Sequence, residues 1–273
     1  MKNIHHQINT EPQAFAIHNM WEEAKNIRTF VFKGTLNSAP GQFCMLWLPG
    51  FDEKPFSIAR DYDGEIWLTI CKVGPATEKL FAFQKGDKIG LRGSYGHGFT
   101  VKKNEISKNI VLVGGGYGTA PLHFTGKVHQ DAGAKVSMII GARNKDFLIW
   151  EKESKDSGFQ TLVATDDGSA GIKGYTTHIL ENLMEKEKID LVQTCGPEIM
   201  MKIIAQICVK KGIACEVSIE RYMKCGFGVC GQCVTESGEK MCQTGPVVRA
   251  EKALDYPDFG VFHRGPEGQK KNW

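Results

Sequence analysis

Residues 225–233 read Cys-Gly-Phe-Gly-Val-Cys-Gly-Gln-Cys, and a fourth cysteine follows at position 242. The spacing C-x4-C-x2-C with a more distant fourth cysteine is typical of plant-type 2Fe-2S centres. Glycines between the cysteines let the backbone wrap closely around a cluster and point N–H groups at its sulfurs. We therefore predict a 2Fe-2S cluster bound by four thiolates, those of Cys225, Cys230, Cys233 and Cys242.

A structural zinc site is the alternative for the same four cysteines. Zinc ribbons favour two C-x2-C pairs over a glycine-rich C-x4-C loop, so a zinc-stabilised binding module without redox activity remains the second choice. The other cysteines lie scattered in apolar or strand-like surroundings and are predicted to be small buried hydrophobes: Cys44, Cys71, Cys195, Cys208 and Cys215.

Two patterns precede the cysteine loop. From Ala14 to about Arg92, short apolar alternations separated by Gly and Pro turns predict an antiparallel β-barrel, with strands such as Phe43–Leu48. Beyond Glu105, apolar strands alternate with helical segments, which predicts a parallel sheet covered on both faces. We predict helices over residues 78–83, 120–131, 174–187 and 198–211.

The predicted fold class is a multidomain α+β protein with an antiparallel barrel, an α/β nucleotide-binding domain and a small C-terminal cluster module. A chain of 273 residues is long enough for two compact cores and an appendage. The expected divisions are a barrel domain over residues 1–105, an α/β domain over 106–215, a cluster module over 216–250 and a polar tail over 251–273.

The barrel carries candidate contacts for a flavin pyrophosphate, which requires a cation, a hydroxyl and accessible backbone N–H groups. Lys54-Pro55-Phe56-Ser57 and Ala76-Thr77 offer these groups, and Ile70-Cys71-Lys72 lies between them in the chain. In a β protein, Pro-Phe-Ser also fits an edge turn, so the pattern alone leaves both interpretations open.

The turn Gly114-Gly-Gly-Tyr-Gly-Thr-Ala-Pro121 joins a predicted strand to a predicted helix. Backbone N–H groups and the helix dipole at such a turn favour phosphate binding. The turn departs from G-x-G-x-x-G because the third glycine is missing in either register, so a glycine turn needed only for close packing is the alternative. Candidate dinucleotide contacts are Gly115, Gly116, Gly118 and Thr119.

Composition and charge exclude several classes of function. The 34 basic and 31 acidic side chains give a formal charge of +3 without a block of one sign, so no nucleic-acid footprint is indicated. The polar start and the lack of a run of about 18 apolar residues predict a cytoplasmic protein without a membrane partner. No hydrolase elbow, zinc-protease pair or P-loop occurs, so the chemistry is expected to come from cofactors.

Further motifs extend over nearly the whole chain, and the closest cues flank the cysteines. Glu220-Arg-Tyr-Met-Lys224 leads into the loop, and Thr244-Gly-Pro-Val247 follows its last cysteine. With these motifs the sequence resembles the electron-transfer subunit of dihydroorotate dehydrogenase, within the ferredoxin-reductase-like group. The superfamily motifs are 40–43, 53–58, 93–99, 114–121, 141–143, 165–169 and 195–197.

The resemblance implies that FAD binds in the barrel. By position it makes the flavin contacts Lys54, Pro55, Phe56, Ser57, Ile70, Cys71, Lys72, Ala76 and Thr77. The family often has Arg where this chain has Lys54, which replaces a bidentate fork by a point charge and bears on flavin affinity.

The resemblance also implies a partner: a catalytic, FMN-containing dihydroorotate dehydrogenase subunit, in a heterotetramer that serves pyrimidine biosynthesis. That subunit oxidises dihydroorotate, and electrons pass through the cluster and FAD to NAD. The rival assignment is the flavin and iron–sulfur subunit of a hydrogenase or sulfite reductase. The segment 220–245 is expected to face the partner, with Phe227, Val229 and Gln232 either covered by it or packed inward.

Overall fold

The computed structural model describes residues 10–106 and 108–273. Its N-terminal part is an antiparallel sheet whose strands lie in the order β4-β3-β7-β1-β2-β6-β5. The alternating apolar pattern produces this sheet, since every second side chain of the strand over residues 65–71 is buried. The elements are β1 (Gln13–Ala24), β2 (Ile27–Lys33), β3 (Phe43–Leu48), β4 (Asp52–Ser57), β5 (Arg60–Tyr62), β6 (Glu65–Cys71), α1 (Pro75–Phe81) and β7 (Lys88–Tyr95).

Helix α1 begins three residues earlier than the sequence pattern predicted. Pro75 occupies its first turn, where the missing N–H of proline is harmless. The Thr77 hydroxyl accepts hydrogen bonds from the backbone N–H groups of Val73 (2.9 Å) and Gly74 (3.1 Å). These interactions fix the start of the helix at the edge of the barrel.

The second part is a sheet in the order β11-β10-β9-β8-β12-β13-β14, parallel except for the antiparallel pair β13 and β14. Residues 116–118 and 145–147 form short 3-10 helices. The elements are β8 (Asn109–Gly115), α2 (Thr119–Asp131), β9 (Lys135–Ala142), α3 (Glu151–Asp156), β10 (Gln160–Thr165), β11 (Ile172–Lys173), α4 (Thr176–Lys186), β12 (Leu191–Cys195), α5 (Glu198–Lys211), β13 (Ala214–Ser218), α6 (Met241–Thr244), β14 (Val247–Arg249) and α7 (Ala250–Leu254).

The cysteine loop is an excursion from this second sheet. β13 spans the expected division between residues 215 and 216, and β14 returns beside it with Ser218 opposite Val247. The segment between them, residues 219–246, contains all four predicted ligands. The cluster segment is therefore held at both ends by neighbouring strands.

The C-terminal residues form structure that the polar composition did not predict. After α7, the strands β15 (Phe262–Arg264) and β16 (Lys270–Asn272) pair as an antiparallel hairpin. The side chains of His263 and Trp273 pack with ring centroids 4.3 Å apart. The hairpin places both residues beside the cleft described below.

Candidate functional site

A cleft of about 740 Å³ lies between the barrel and the second sheet. This volume falls within the range of roughly 300–1,000 Å³ that is usual for cofactor pockets. One wall comes from β4, β6 and α1, and the other from the turn before α2, the end of β12 and the segment after β13. A ligand in the cleft would contact both parts of the fold.

Most of the residues predicted to contact cofactors share this cleft. The exception in the barrel is Lys72, whose backbone N–H donates to Asn26 (2.8 Å) and whose ammonium lies 5.8 Å from the Phe81 ring. Lys54 Nζ is 2.6 Å from Asp52 Oδ2 and 5.8 Å from the Tyr222 ring. The predicted residues in the cleft wall are Lys54, Pro55, Phe56, Ser57, Ile70, Cys71, Ala76, Thr77 and Gly118.

The glycine turn before α2 is packed tightly against the end of β12. A Cβ on Gly118 would lie 2.5 Å from the Cys195 carbonyl oxygen, so only glycine fits there. Gly115 is similarly enclosed by Pro197 and Met200, whereas Gly116 has open space and φ +54°. Gly118 lines the cleft, whereas the predicted contacts Gly115, Gly116 and Thr119 are not among its lining residues. The turn thus allows close packing against β12, and it also leaves the N-terminus of α2 facing the cleft.

An acid and a phenol lie together on the wall opposite the barrel. The Glu220 carboxylate forms a hydrogen bond with Tyr117, and both line the cleft. Withdrawal from water raises the pKa of Glu220, and the hydrogen bond from Tyr117 opposes that rise. The charge of Glu220 in turn raises the pKa of Tyr117, which keeps the phenol protonated and available as a donor.

The four predicted cluster cysteines form two pairs. Hydrogen bonds join the thiol of Cys225 to that of Cys230, and the thiol of Cys233 to that of Cys242. In a 2Fe-2S centre each of the two irons takes two thiolates. Across residues 10–106 and 108–273, no three His, Cys or acidic side chains converge as ligands of one ion. The two pairs match the two thiolates that each iron of such a cluster takes.

Backbone amides point at these sulfurs, as a cluster of thiolates requires. The N–H groups of Cys230 and Gln232 lie 3.5 Å from the sulfurs of Cys225 and Cys230, respectively. The Cys242 N–H lies 3.4 Å from Cys233 Sγ. Gly226 and Gly228 have φ +81° and +88°, conformations that glycine adopts readily.

Two of the thiols are set up to ionise. Burial raises the pKa of Cys225, but hydrogen bonds from the N–H groups of Cys230, Phe227 and Val229 outweigh it and bring the pKa to about 7. The hydrogen bond with Cys242 is the main cause that lowers the pKa of Cys233 to about 6, and the same interaction raises the pKa of Cys242. Lowered thiol pKa values favour the thiolate, which is the form that binds metal.

The loop exposes one edge and buries another. Val229 is 76% exposed, and the neighbouring Cys230 is exposed as well. Phe227 instead packs toward the barrel, with its ring centroid 6.5 Å from that of Tyr95. Gln232 donates from Nε2 to the Gly265 carbonyl at 3.1 Å. Phe227 and Gln232 thus turn inward, and Val229 turns outward.

Sequence reasoning missed several residues of the cleft. Gly196 and Glu220 were noted only as motif positions, and Cys195 was predicted to be a buried hydrophobe, yet all three form part of the wall opposite the barrel, where Cys195 is half-buried. Their placement follows from the parallel strand order, since ligands bind at the carboxyl ends of such strands where the order reverses. His263 and Trp273 gave no signal because the hairpin pairing cannot be read from polar residues.

Known proteins match both the loop and the whole chain. The family model described as the iron-sulfur cluster binding domain of dihydroorotate dehydrogenase B matches residues 220–253. The probable dihydroorotate dehydrogenase B (NAD(+)), electron transfer subunit of Methanocaldococcus jannaschii is 39% identical over 262 residues, 95% of this chain and 98% of that protein. The protein of the same description from Thermococcus kodakarensis is 42% identical over 239 residues, 87% of this chain and 96% of that one.

Solved structures show the same architecture. A chain of the NADH-dependent reduced ferredoxin-NADP oxidoreductase, studied for flavin-based electron bifurcation, superimposes with a TM-score of 0.79 at 30% identity, over 87% of this chain and 88% of that one. The ferredoxin reductase in carbazole 1,9a-dioxygenase superimposes with a TM-score of 0.63 at 16% identity, over 74% and 66% of the two chains. The second likeness concerns the fold alone.

Proposed function

The chain belongs to the family of dihydroorotate dehydrogenase B electron transfer subunits, and we propose on that premise which residues and which partner serve the transfer. Its function is electron transfer within an NAD-dependent oxidoreductase complex of pyrimidine biosynthesis, with FAD and a 2Fe-2S cluster as cofactors. The observation that carries this function is the 39% identity that extends over 95% of the chain and 98% of its relative.

Cys225, Cys230, Cys233 and Cys242 are the proposed ligands of the cluster. Their pairing, the amides aimed at their sulfurs and the low pKa values of Cys225 and Cys233 support this assignment. The domain divisions near residues 105, 215 and 250 remain predictions.

The cleft is the proposed site of FAD and of the nicotinamide. When bound, FAD accepts or gives a hydride and the cluster carries single electrons. Lys54 supplies a cation for the pyrophosphate, and the first turn of α1 supplies backbone N–H groups. Gly118 and Gly196 let the turn before α2 pack directly against the end of β12 at the cleft wall, and Tyr117 and Glu220 orient what binds between the walls.

The proposed partner is a catalytic, FMN-bearing dihydroorotate dehydrogenase subunit in a cytoplasmic heterotetramer. The relatives are described as electron transfer subunits, which implies a second, catalytic chain. The exposed edge at Val229 and Cys230 leaves the proposed cluster site accessible to a partner from outside. None of the helices in the described ranges has the length and apolar character that a bilayer crossing needs.

Co-expression with a catalytic dihydroorotate dehydrogenase chain tests this function. We expect the purified complex to contain FAD, FMN, iron and sulfide, and to reduce NAD when dihydroorotate is supplied. The chain alone should oxidise NADH with an artificial acceptor yet leave dihydroorotate untouched. Co-purification with a hydrogenase or sulfite-reductase subunit instead, without dihydroorotate-dependent NAD reduction, would replace this proposal by the rival one.

A further inference from the structure

The Arg92 side chain connects the barrel to the first cluster cysteine. Arg92 lies on β7 and is 5% exposed. Its Nε and Nη2 donate to the two carboxylate oxygens of Glu53 at 2.6 and 2.5 Å. Its Nη1 donates to the backbone carbonyl of Cys225 at 2.8 Å. One guanidinium therefore holds a strand of the barrel and a ligand residue of the cluster at once.

Aromatic rings enclose the same guanidinium. Its central carbon lies 5.5 Å from the Phe227 ring centroid and 5.4 Å from that of Tyr95. Nη1 also donates to the Tyr95 hydroxyl at 3.0 Å. A planar guanidinium makes bidentate and stacking contacts that a lysine cannot reproduce. The geometry is thus specific for arginine.

Glu53 joins this arrangement to the flavin wall. It lies on β4 directly before Lys54, which lines the cleft. Successive side chains of a strand point to opposite faces. β4 therefore presents Lys54 to the cleft and Glu53 to Arg92 on its other face.

The cluster segment is held to the barrel at two further places. A Cβ on Gly226 would lie 3.1 Å from atoms of both Met45 and Tyr95, so the loop rests directly on the barrel. At the other end of the segment, the N–H of His97 donates to the Gly245 carbonyl at 2.6 Å. Arg92 acts on a loop that is already in close contact with the barrel. A small displacement of Cys225 therefore changes its position relative to the barrel.

We propose that Arg92 is a positioning residue, which fixes the Cys225 segment relative to the flavin wall and, together with Glu53, tunes the reduction potential of the cluster. The inference rests on the proposed function, because it requires that the four cysteines hold a 2Fe-2S cluster. Reduction adds a negative charge to such a cluster, so nearby charges and hydrogen bonds alter its potential. Arg92 favours the reduced cluster, and Glu53 opposes it.

Because Arg92 and Glu53 carry opposite charges, removing each charge should shift the cluster potential in opposite directions. An ion pair with a purely structural role would not give shifts of opposite sign. Arg92→Gln leaves the Glu53 carboxylate uncompensated, so the cluster potential should fall. Glu53→Gln leaves the guanidinium uncompensated, so the potential should rise. Arg92→Lys keeps the charge but loses the fork, so its potential should stay closer to the parent than that of Arg92→Gln.

The measurement is a redox titration of the FAD- and cluster-loaded chain. The titration is monitored by electron paramagnetic resonance and visible circular dichroism. Arg28→Gln is the matched control, since Arg28 donates to the Phe81 carbonyl at 3.0 Å and lies over its ring, inside the same barrel. The control should leave potential and spectra unchanged. Altered spectra in Arg92→Lys would report the displaced Cys225 segment.

Shifts of the same sign in Arg92→Gln and Glu53→Gln, or no shift in either, would overturn the inference. If Arg92→Gln does not fold, Glu53→Gln and Arg92→Lys decide the question. A potential of Glu53→Gln that does not rise above that of the parent would then overturn the inference. A parent chain that binds no iron and sulfide would instead contradict the proposed function, which keeps the two failures distinct.

Discussion

The Glu198 carboxylate, at the first turn of α5, is buried against the guanidinium of Arg221. Arg221 also pairs with Asp258 at 2.9 Å, so one guanidinium serves two buried carboxylates. The Gly260 N–H donates to Glu198 at 2.9 Å. This cluster ties the start of the cysteine loop and the C-terminal segment to the second sheet.

Arg221→Met should destabilise the chain strongly. Removing the cation leaves two buried carboxylates without a partner, and breaking a buried ion pair on one side typically costs about 3–5 kcal/mol. Urea unfolding followed by circular dichroism measures the change. Arg249→Met, at an exposed position, serves as the control and should shift the midpoint little. Equal midpoints for the two variants would contradict the stabilising role of the buried cluster.

The stability should depend on pH through Glu198. Burial raises the pKa of Glu198 to about 7, and Arg221 only partly opposes this. A carboxyl whose pKa is raised in the folded state favours folding most when protonated, so stability should fall as the pH rises from about 4.5 to about 7, by about 1.4 kcal/mol per unit of pKa difference. Glu198→Gln should flatten the profile in this window. An unchanged slope in that variant would exclude Glu198 as the cause.

Serine at any one of Cys225, Cys230, Cys233 or Cys242 should remove the cluster or destabilise it strongly. The hydroxyl is a harder and less acidic ligand than the thiol that it replaces. FAD should remain bound, because none of the four proposed ligand cysteines lines the cleft. Iron, sulfide and flavin analysis checks this, with Cys208→Ser on α5 as the thiol control. Full iron content in two or more of the ligand variants would refute the ligand assignment.

Ser57→Ala and Thr77→Ala should both weaken FAD binding, by different routes. Ser57 would lose a direct hydrogen bond worth about 0.5–1.5 kcal/mol. The Thr77 hydroxyl accepts from the N–H groups of Val73 and Gly74, so its loss should loosen the first turn of α1, which supplies backbone N–H groups. Thr77→Ser keeps the hydroxyl and should restore affinity in a flavin titration. Parent-like flavin affinity in the double alanine variant would refute the assignment of the FAD contacts to the barrel.

The outward edge of the loop should contact the catalytic subunit. Val229→Glu places a charge at a residue that is 76% exposed, so it should impair assembly and dihydroorotate-dependent NAD reduction while NADH oxidation stays normal. Phe227→Asp would be a poorer probe, because Phe227 packs on Tyr95 and Arg92. Size-exclusion chromatography with the catalytic chain measures assembly. An intact complex with Val229→Glu would place the interface elsewhere.

Local signals predicted much of this fold. Helix α5 has the predicted bounds because Pro197 precedes it and Gly212 ends it in a left-handed conformation. Strand β3 also has the predicted bounds, because its apolar residues form a continuous local pattern. Helix α1 was misplaced because its start depends on a threonine cap and an N-terminal proline, which the apolar pattern does not report.

Contacts between residues far apart in the chain could not be predicted from the sequence pattern. Arg92 and Cys225 are 133 positions apart, and no periodicity links a barrel arginine to a loop carbonyl. The C-terminal hairpin arose from residues that read as a polar tail. The cleft could be predicted as two separate half-sites, but their meeting depends on how the barrel packs against the second sheet.

The pairing of β13 with β14 affects how the apoprotein acquires its iron. Ser218 and Val247 close the cysteine loop at its base, so the four thiols are already confined when the rest of the chain has folded. Closing a loop in advance removes part of the entropy that ligand assembly must otherwise overcome. Iron and sulfide added to the folded, cluster-free chain should then rebuild the centre without a denaturation and refolding cycle.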